Sequence, residues 1–492
     1  MSKSKRLPLS AVAILAALNS YGAIRAVTPQ VPDAAWTKSW WMPRHHEKMA
    51  TVTNGGAKVV FVGDSITHFW EKAGNERLKK YFGEGDLKML NLGFSGDRTE
   101  HVLWRITEGR ELDGYEAKCI VLMIGTNNAG HLPVEQEPPA DTILGVYEIL
   151  KAIRAKQPTA KIILTAIFPR GADANDACRR RNAVVNKEIQ KFADGKDVFW
   201  LDFTDQLMTV DGRLPREVFP DLLHPRGYGY DVWASAVMPY ARAALAGEPL
   251  PPNRYAPFLR AENVGVSEPV ALIPTTRIME DHATRGREWW LLRLLEKRNE
   301  IAASGGAFDV VLFGDSITHR WESIGAASLA ELRKTYSVLN LGYGGDRTEN
   351  LIWRGENGEL DGYKAKCVML MVGTNNSGHR NDKPEDIAAG IRRLLDLIAK
   401  KQPQSKVLLL PIFPRGANAK DARRINNDKV NAIIKGFADG EKVVWVDFNA
   451  KFLDEKGDTR WVMPDLLHPN ADGYREIWLP SVLPYLKEAC GK

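Results

Sequence analysis

The 492-residue chain is predicted to be an α/β protein made twice: two tandem three-layer α/β/α domains, each with a parallel sheet of about five strands. Three observations carry this expectation. Long segments of the first half return in the second half. Within one copy, short continuously apolar runs alternate with stretches of helical period, the pattern of strands buried on both faces by crossover helices. The repeated polar motifs directly follow apolar runs, and ligands of such sheets bind beyond the carboxyl ends of the strands.

The duplication is legible along most of the chain. "VVFVGDSITHFW" at 59–70 returns as "VVLFGDSITHRW" at 310–321. "LNLGFSGDRTEHVLWR" at 90–105 and "LNLGYGGDRTENLIWR" at 339–354 agree at 11 of 16 positions, and "ELDGYEAKCIVLMIGTNNAGH" at 111–131 agrees with 359–379 at 16 of 21. "IFPRGA" begins at Ile167 and Ile412, "PDLLHP" at Pro220 and Pro464. The offset shrinks from 251 at the GDS serine to 244 at the LLH histidine, so two copies of one domain differ by small loop changes. A period of this size far exceeds solenoid repeats, so each copy is a complete domain. The expected domains are 37–246 and 286–492, joined by a proline-rich linker over 247–285. In the first copy strands are expected at 58–63, 88–92, 118–124, 161–168 and 197–203, with helices over 141–156 and 176–194.

Composition, 44% hydrophobic and 26% charged, is that of a globular protein. Residues 1–26 read as a secretory leader: Lys3, Lys5 and Arg6 precede the apolar stretch Leu7 to Leu18, and a small-residue site ends at Ala26. The apolar stretch is too short to span a bilayer, which takes ~20 residues. A secreted or periplasmic protein with no membrane span after cleavage is expected. Loss of 1–26 removes four basic residues and no acidic one, taking the formal charge from +6 to +2. No basic stripe with interleaved aromatics marks a nucleic-acid partner. Cys119 and Cys367 fall at the same place in apolar runs and read as buried thiols, whereas a bridge between Cys178 and Cys490 is left open. No Cys/His spacing suggests a metal site.

The motifs supply the parts of a nucleophilic acyl-transfer site. Gly63-Asp64-Ser65 ends a strand and opens a helix, where a serine meets unpaired N–H groups; an ordinary N-cap needs the same residues. "DLLH" sets Asp221 three residues before His224, so the carboxylate can hold the imidazole in one tautomer. Gly96 of "SGD", Asn127 of "GTNN" and the Ser65 N–H could receive a developing oxyanion. Ser316, Gly345, Asn375, Asp465 and His468 repeat the set. His68 with His319, His131 with His379, Arg98 with Arg347, Arg170 with Arg415, and Trp40, Trp41, Trp289 and Trp290 recur near these motifs; for each, a packing or ion-pair role competes with a place at the site.

In the order GDS, SGD or GGD, GTN and DxxH, these motifs resemble the SGNH subgroup of the GDSL esterase/lipase family, over roughly 55–245 and 300–488. "NLGFSGDRTEHVLWR", "GTNN" and "PRG" are similar to the catalytic subunits of the intracellular platelet-activating-factor acetylhydrolases. The resemblance implies a flavodoxin-like sheet, nucleophiles Ser65 and Ser316, and oxyanion donors Gly96, Asn127, Gly345 and Asn375. It implies the Asp-His pairs Asp221–His224 and Asp465–His468, and no metal or organic cofactor. It also implies acyl pockets narrowed to acetyl size by Ile66, Thr126 and Leu223 and by Ile317, Thr374 and Leu467. The subunits resembled pair up, so an intramolecular pseudo-dimer is an expectation by the same route. The expected function is an exported serine esterase removing short acyl groups, chiefly O-acetyl from carbohydrate or another small ester. A lysophospholipase or thioesterase, a non-catalytic scaffold with vestigial sites, and an acetyltransferase are the competing readings.

Overall fold

The computed structural model describes residues 24–491 except 210, 253–267, 281 and 283. The expected leader therefore lies outside the described residues up to Ala23, and the middle of the expected linker does so as well. The chain divides into two compact units, the described residues parting within the linker. Among the described residues no helix is long and apolar enough to cross a membrane, and no disulfide joins any of the four cysteines, of which Cys119 and Cys367 are buried.

Each unit contains one five-stranded, wholly parallel sheet. In the first, β1 (Val59–Gly63), β2 (Met89–Gly93), β3 (Cys119–Met123), β4 (Lys161–Thr165) and β5 (Val198–Leu201) lie in the order β2-β1-β3-β4-β5. In the second, β6 (Ala307–Gly314), β7 (Val338–Gly342), β8 (Lys364–Met371), β9 (Lys406–Leu409) and β10 (Val443–Trp445) repeat it as β7-β6-β8-β9-β10. The winding reverses on either side of β1 and of β6, and a crevice opens beyond the carboxyl ends at such a reversal. The flavodoxin-like order is thus present twice.

The apolar runs are continuous because both faces of the strands are covered. In the second sheet Val310, Leu312, Cys367, Met369 and Leu408 pack on one face with Trp478, Val482 and Leu486 of the C-terminal segment. The intervening Val311, Phe313, Leu339, Val368 and Leu370 pack on the other with Ile387, Ile391, Leu394 and Ile398 of the helix Pro384–Lys401. That helix carries its apolar residues three and four apart, one stripe toward the sheet. Each fully buried aliphatic side chain contributes about 1.5–3 kcal/mol, so alternation in direction without alternation in polarity is what a central parallel strand needs.

The N-terminal flank of each domain is drawn into the fold. Ile24 and Ala26 are buried, and the Ala26 carbonyl accepts from Thr99 Oγ1 at 2.8 Å. The same bond joins Thr348 Oγ1 to the Ala271 carbonyl at 2.8 Å. Residues assigned from sequence to the end of the leader and to the linker therefore pack as equivalent parts of the two domains.

The turn out of β1 sets the position of Ser65. Asp64 caps the four-residue helix Ser65–His68, its carboxylate accepting from Ile66 N at 3.0 Å, and Asp315 does the same for Ile317 N at 3.0 Å. A methyl group at Gly93 would overlap the His68 N–H, so the last residue of β2 must be glycine for this helix to cross it closely. Asp64 and Asp315 are buried, and burial pushes both carboxyls from the ordinary 3.8 up to about 7. A native state that holds a proton more tightly than the unfolded chain loses stability as pH rises from the unfolded to the native pKa, here from about 4 to about 7. Asparagine keeps the capping acceptor without the charge. The double variant Asp64→Asn/Asp315→Asn is expected to melt a few degrees above the parent at about pH 8, and to lose less between about pH 5 and 8. Equal pH slopes for parent and variant in differential scanning calorimetry would show that these carboxyls do not carry the buried proton.

Candidate active site

Beyond the carboxyl end of each sheet a serine, a histidine and an aspartate form an unbroken hydrogen-bonded line. The Ser65 hydroxyl donates to His224 Nε2 at 2.8 Å, and His224 Nδ1–H donates to Asp221 Oδ2 at 2.6 Å. In the second domain the corresponding distances are 2.8 Å from Ser316 to His468 and 2.7 Å from His468 to Asp465. The carboxylates are themselves oriented: Asp221 Oδ1 accepts from the N–H groups of Leu223 at 3.0 Å and His224 at 2.8 Å. Burial alone would raise the Asp221 carboxyl, but the His224 N–H and imidazole together hold it below its ordinary value. An ionised carboxylate on Nδ1–H leaves the Nε2 lone pair facing the serine, the tautomer a general base requires.

The DLLH turn reaches this geometry through a left-handed residue. Leu222 and Leu466 both have φ of +58°, a conformation that costs a branched side chain of order 1–3 kcal/mol. Their carbonyls are pinned by Gly171 N at 2.9 Å and Gly416 N at 2.8 Å. The repeated PRG segment thus anchors the Asp-His loop. Its arginine fastens a second loop, since Arg170 Nη1 donates to the Thr126 carbonyl at 2.9 Å and Arg415 Nη1 to that of Thr374 at 2.7 Å.

On the other side of the serine lie the groups expected to meet an oxyanion. In the sheet register Gly63 stands beside both Gly93 and Met123, so Ser65, Gly96 and Asn127 leave neighbouring strand ends at one level. Gly96 has φ of +80° and Gly345 of +78°. Asn127 Nδ2 donates one hydrogen to the Asp97 carbonyl at 2.9 Å, and Asn375 Nδ2 likewise to that of Asp346 at 2.9 Å. One amide hydrogen fixes the group and the other remains to be donated.

Of the residues that hold this side, the sequence singles out the two tryptophans but not the acids and arginines. Asp97 is buried and accepts from Trp41 Nε1 at 2.7 Å and Arg105 Nε at 2.8 Å, and Arg105 Nη1 continues to Glu111 at 2.6 Å. Asp346 accepts from Trp290 Nε1 at 3.0 Å and Arg354 Nε at 2.9 Å, and Arg354 pairs with Glu359. Burial pushes Asp97 up to about 7 and Asp346 to about 6, each against its arginine. A signal was available, since the Arg of "LWR" or "IWR" and the Glu of "ELDG" recur in both copies. Trp41 and Trp290 serve this network rather than a substrate.

The other recurrent residues sort by contact. Arg98 pairs with Glu100 at 2.6 Å and with Glu137, and Arg347 with Glu349 at 2.7 Å. His68 Nδ1 meets Ser95 Oγ at 3.0 Å, and His319 Nδ1 accepts from Gly344 N at 3.2 Å. Burial, with nearby cations, takes these two imidazoles down to about 3 and about 2, so both are neutral. His131 and His379 are also lowered by burial. Of the expected acyl-pocket residues, Ile66 and Ile317 are core side chains, Thr126 and Thr374 are buried against Arg170 and Arg415, and Leu223 and Leu467 remain half-exposed.

Comparison with known proteins agrees with the motif order. The model of the GDSL-like Lipase/Acylhydrolase family matches residues 61–232 and again 312–476. Among curated relatives, the human platelet-activating factor acetylhydrolase IB subunit alpha1 is 33% identical over 192 residues, 39% of this chain and 78% of that protein. The rat alpha2 subunit is 35% identical over 174 residues, 35% of this chain and 73% of that protein. Among solved structures, a GDSL-like lipase from Bacteroides thetaiotaomicron is 19% identical with a TM-score of 0.33, covering 41% of this chain and 98% of that one. Since the family model spans more than half of the sequence, in two separate stretches, the chain belongs to the GDSL-like lipase/acylhydrolase family and carries its domain twice.

Proposed function

We propose that both domains are working serine esterase sites that remove short acyl groups, chiefly acetyl, from a small or carbohydrate ester outside the cytoplasm. The observation that carries this is the Ser-His-Asp line, present in both copies at matching distances. Ser65 or Ser316 attacks the ester carbonyl as His224 or His468 takes its proton. The oxyanion is received by the N–H of Gly96 and the free amide hydrogen of Asn127, or by Gly345 and Asn375. The imidazolium returns the proton to the departing alcohol, and water repeats the sequence to release the acid. Acetyl size is supported by the name of the acetylhydrolase relatives and by the leucine before each histidine, the residue of each expected acyl-pocket trio that keeps exposed surface.

The extracytoplasmic setting rests on the leader. Because Ile24 and Ala26 pack into the first domain, the leader is read as ending at or before Ala23. Fractionation with N-terminal sequencing of the mature protein is expected to find it outside the cytoplasm with Ile24 to Ala26 retained; a cytoplasmic full-length chain would remove this part of the proposal.

With p-nitrophenyl acetate, Ser65→Ala and Ser316→Ala are each expected to keep part of the activity. The double variant should fall by ~10⁴-fold or more, the scale of losing a triad serine. A double variant as active as the parent would sink the assignment. The second site should also work at lower pH than an ordinary imidazole allows. His468 is pulled below 6.5 by burial and the cations Arg320 and Arg415, against Asp465. A base that stays neutral to lower pH keeps kcat/KM up to lower pH. The acid limb of kcat/KM for Ser65→Ala is therefore expected below pH 6.5 and should move up in Ser65→Ala/Arg320→Gln; a limb above 6.5 would contradict the buried-imidazole account.

A further inference from the structure

The two triads match, but the rims around them do not. Between the anchor Ala26 and Trp41 the first copy has fourteen residues, whereas between Ala271 and Trp290 the second has eighteen. This loop borders the site, and the side chains it sets beside the oxyanion glycine have changed from an indole to a guanidinium.

In the first domain a methyl group at Gly96 would overlap the indole of Trp36, so that ring lies directly on the expected oxyanion glycine. Trp36 is 53% exposed and stacks on Trp40 with centroids 5.9 Å apart. Phe69 stacks on the catalytic imidazole of His224 at 4.7 Å. Trp36, Trp40, His68, Phe69, Lys72 and Ser95 face one open cleft. The buried Arg44 beneath it is paired with Glu71 at 2.7 Å, which leaves Lys72 as the cation at this mouth, its ammonium 5.0 Å above the Phe69 ring.

In the second domain the side chain lying on Gly345 is Arg277, whose Nη1 donates to the Gly344 carbonyl at 2.6 Å. Arg285 donates to His319 Nδ1 at 3.3 Å, and both guanidiniums lie over Trp289, at 5.1 and 5.7 Å. Arg320 stands where the first copy has Phe69, with Nη1 3.5 Å from Oδ2 of the triad residue Asp465. Glu280 answers Arg277 at 2.7 Å, while Arg285 contacts an imidazole and an indole, neither of which carries negative charge. Guanidiniums gathered at one rim repel each other, and an oxyacid anion relieves that repulsion with planar, paired hydrogen bonds.

We propose that the second site selects esters whose non-acyl part carries a carboxylate or phosphate, and that the first site selects uncharged esters that lie against its aromatic rim. Arg285 is the principal recognition residue of the second site and Trp36 the platform of the first. This deepens the esterase reading and rests on it.

The test uses the full chain as Ser65→Ala, which leaves the second site, and Ser316→Ala, which leaves the first. Each is assayed on 4-acetoxybenzoate, 4-acetoxyphenyl phosphate and the uncharged methyl 4-acetoxybenzoate. The ratio of kcat/KM for either anion to that for the methyl ester is expected to be roughly tenfold or more higher at the second site. It should fall between ~50 and ~500 mM NaCl, and the larger of the two anionic ratios identifies carboxylate or phosphate as the ligand. Ser65→Ala/Arg285→Met should lose most of the preference through a fall in kcat/KM for the anions, with a melting curve matching that of Ser65→Ala showing that the variant is folded; Arg285→Lys should restore part of it. Ser316→Ala/Trp36→Ala should raise KM for the methyl ester. Equal ratios at the two sites, or a preference untouched by Arg285→Met, would overturn the inference while leaving the esterase reading in place. Failure of both single-site enzymes on p-nitrophenyl acetate as well as on the methyl ester would overturn the esterase reading and this inference with it.

Discussion

The arrangement of both sites depends on one buried carboxylate, that of Asp97 and its counterpart Asp346. Each is fully enclosed and held by an indole N–H and a guanidinium, and its own backbone carbonyl orients the amide of Asn127 or Asn375. Side chain and main chain of one residue thus tie the helix Trp41–Thr53, the helix Thr99–Ile106 and the loop after β3 to a single point. A buried ion pair of this kind adds little net stability when complete, but losing one partner leaves a charge stranded at a cost of about 3–5 kcal/mol. The network is therefore all-or-none. The segment before β1 is not an accessory: without Trp41 the carboxylate would lose a donor inside the protein.

The strands, the parallel order and the triad were legible because each leaves a strong local signature. Continuous apolar runs mean two covered faces, and Asp221 three residues before His224 puts carboxylate and imidazole within reach of one another. What stayed hidden was the support. Glu111 lies among Glu108, Arg110 and Asp113, so its charge reads as surface until the fold shows it buried with Arg105. The anchoring role of the PRG segment was hidden too, since nothing in its own residues says that the glycine N–H reaches a distant carbonyl, that of Leu222. Trp41 and Trp40 are adjacent yet face opposite fates, one in the network and one at the cleft, and sequence proximity cannot separate them.

Duplication shows which parts of such a site are free to vary. The triad and the Trp-Asp-Arg-Glu links of the network recur, whereas the rim exchanges Trp36 and Phe69 for Arg277 and Arg320. The difference follows from solvation. A side chain at the mouth can change from ring to guanidinium because water and ligand accommodate either, and Arg320 remains about one-third exposed beside Asp465. A group beneath the strand ends has less latitude, because a buried polar atom left without a partner is costly.

One buried glutamate displays that constraint directly. Glu111 receives Arg105 on one oxygen and His45 Nδ1 on the other, at 2.8 Å. In the second copy the position of His45 is Leu294, which offers no hydrogen bond, and Glu359 would be left half-satisfied. There the position of Phe94 is Tyr343, whose hydroxyl donates to Glu359. The ring stays over the arginine in both copies, with centroids 4.1 Å from the Arg105 guanidinium and 3.9 Å from that of Arg354. Donor lost from one element and donor gained on another leave the carboxylate fully paired in each. An unpaired buried acceptor costs about 1–3 kcal/mol, more when charged, and the tyrosine hydroxyl offsets that cost where the histidine is lost. With both present together, the second domain keeps its buried support complete while its rim differs.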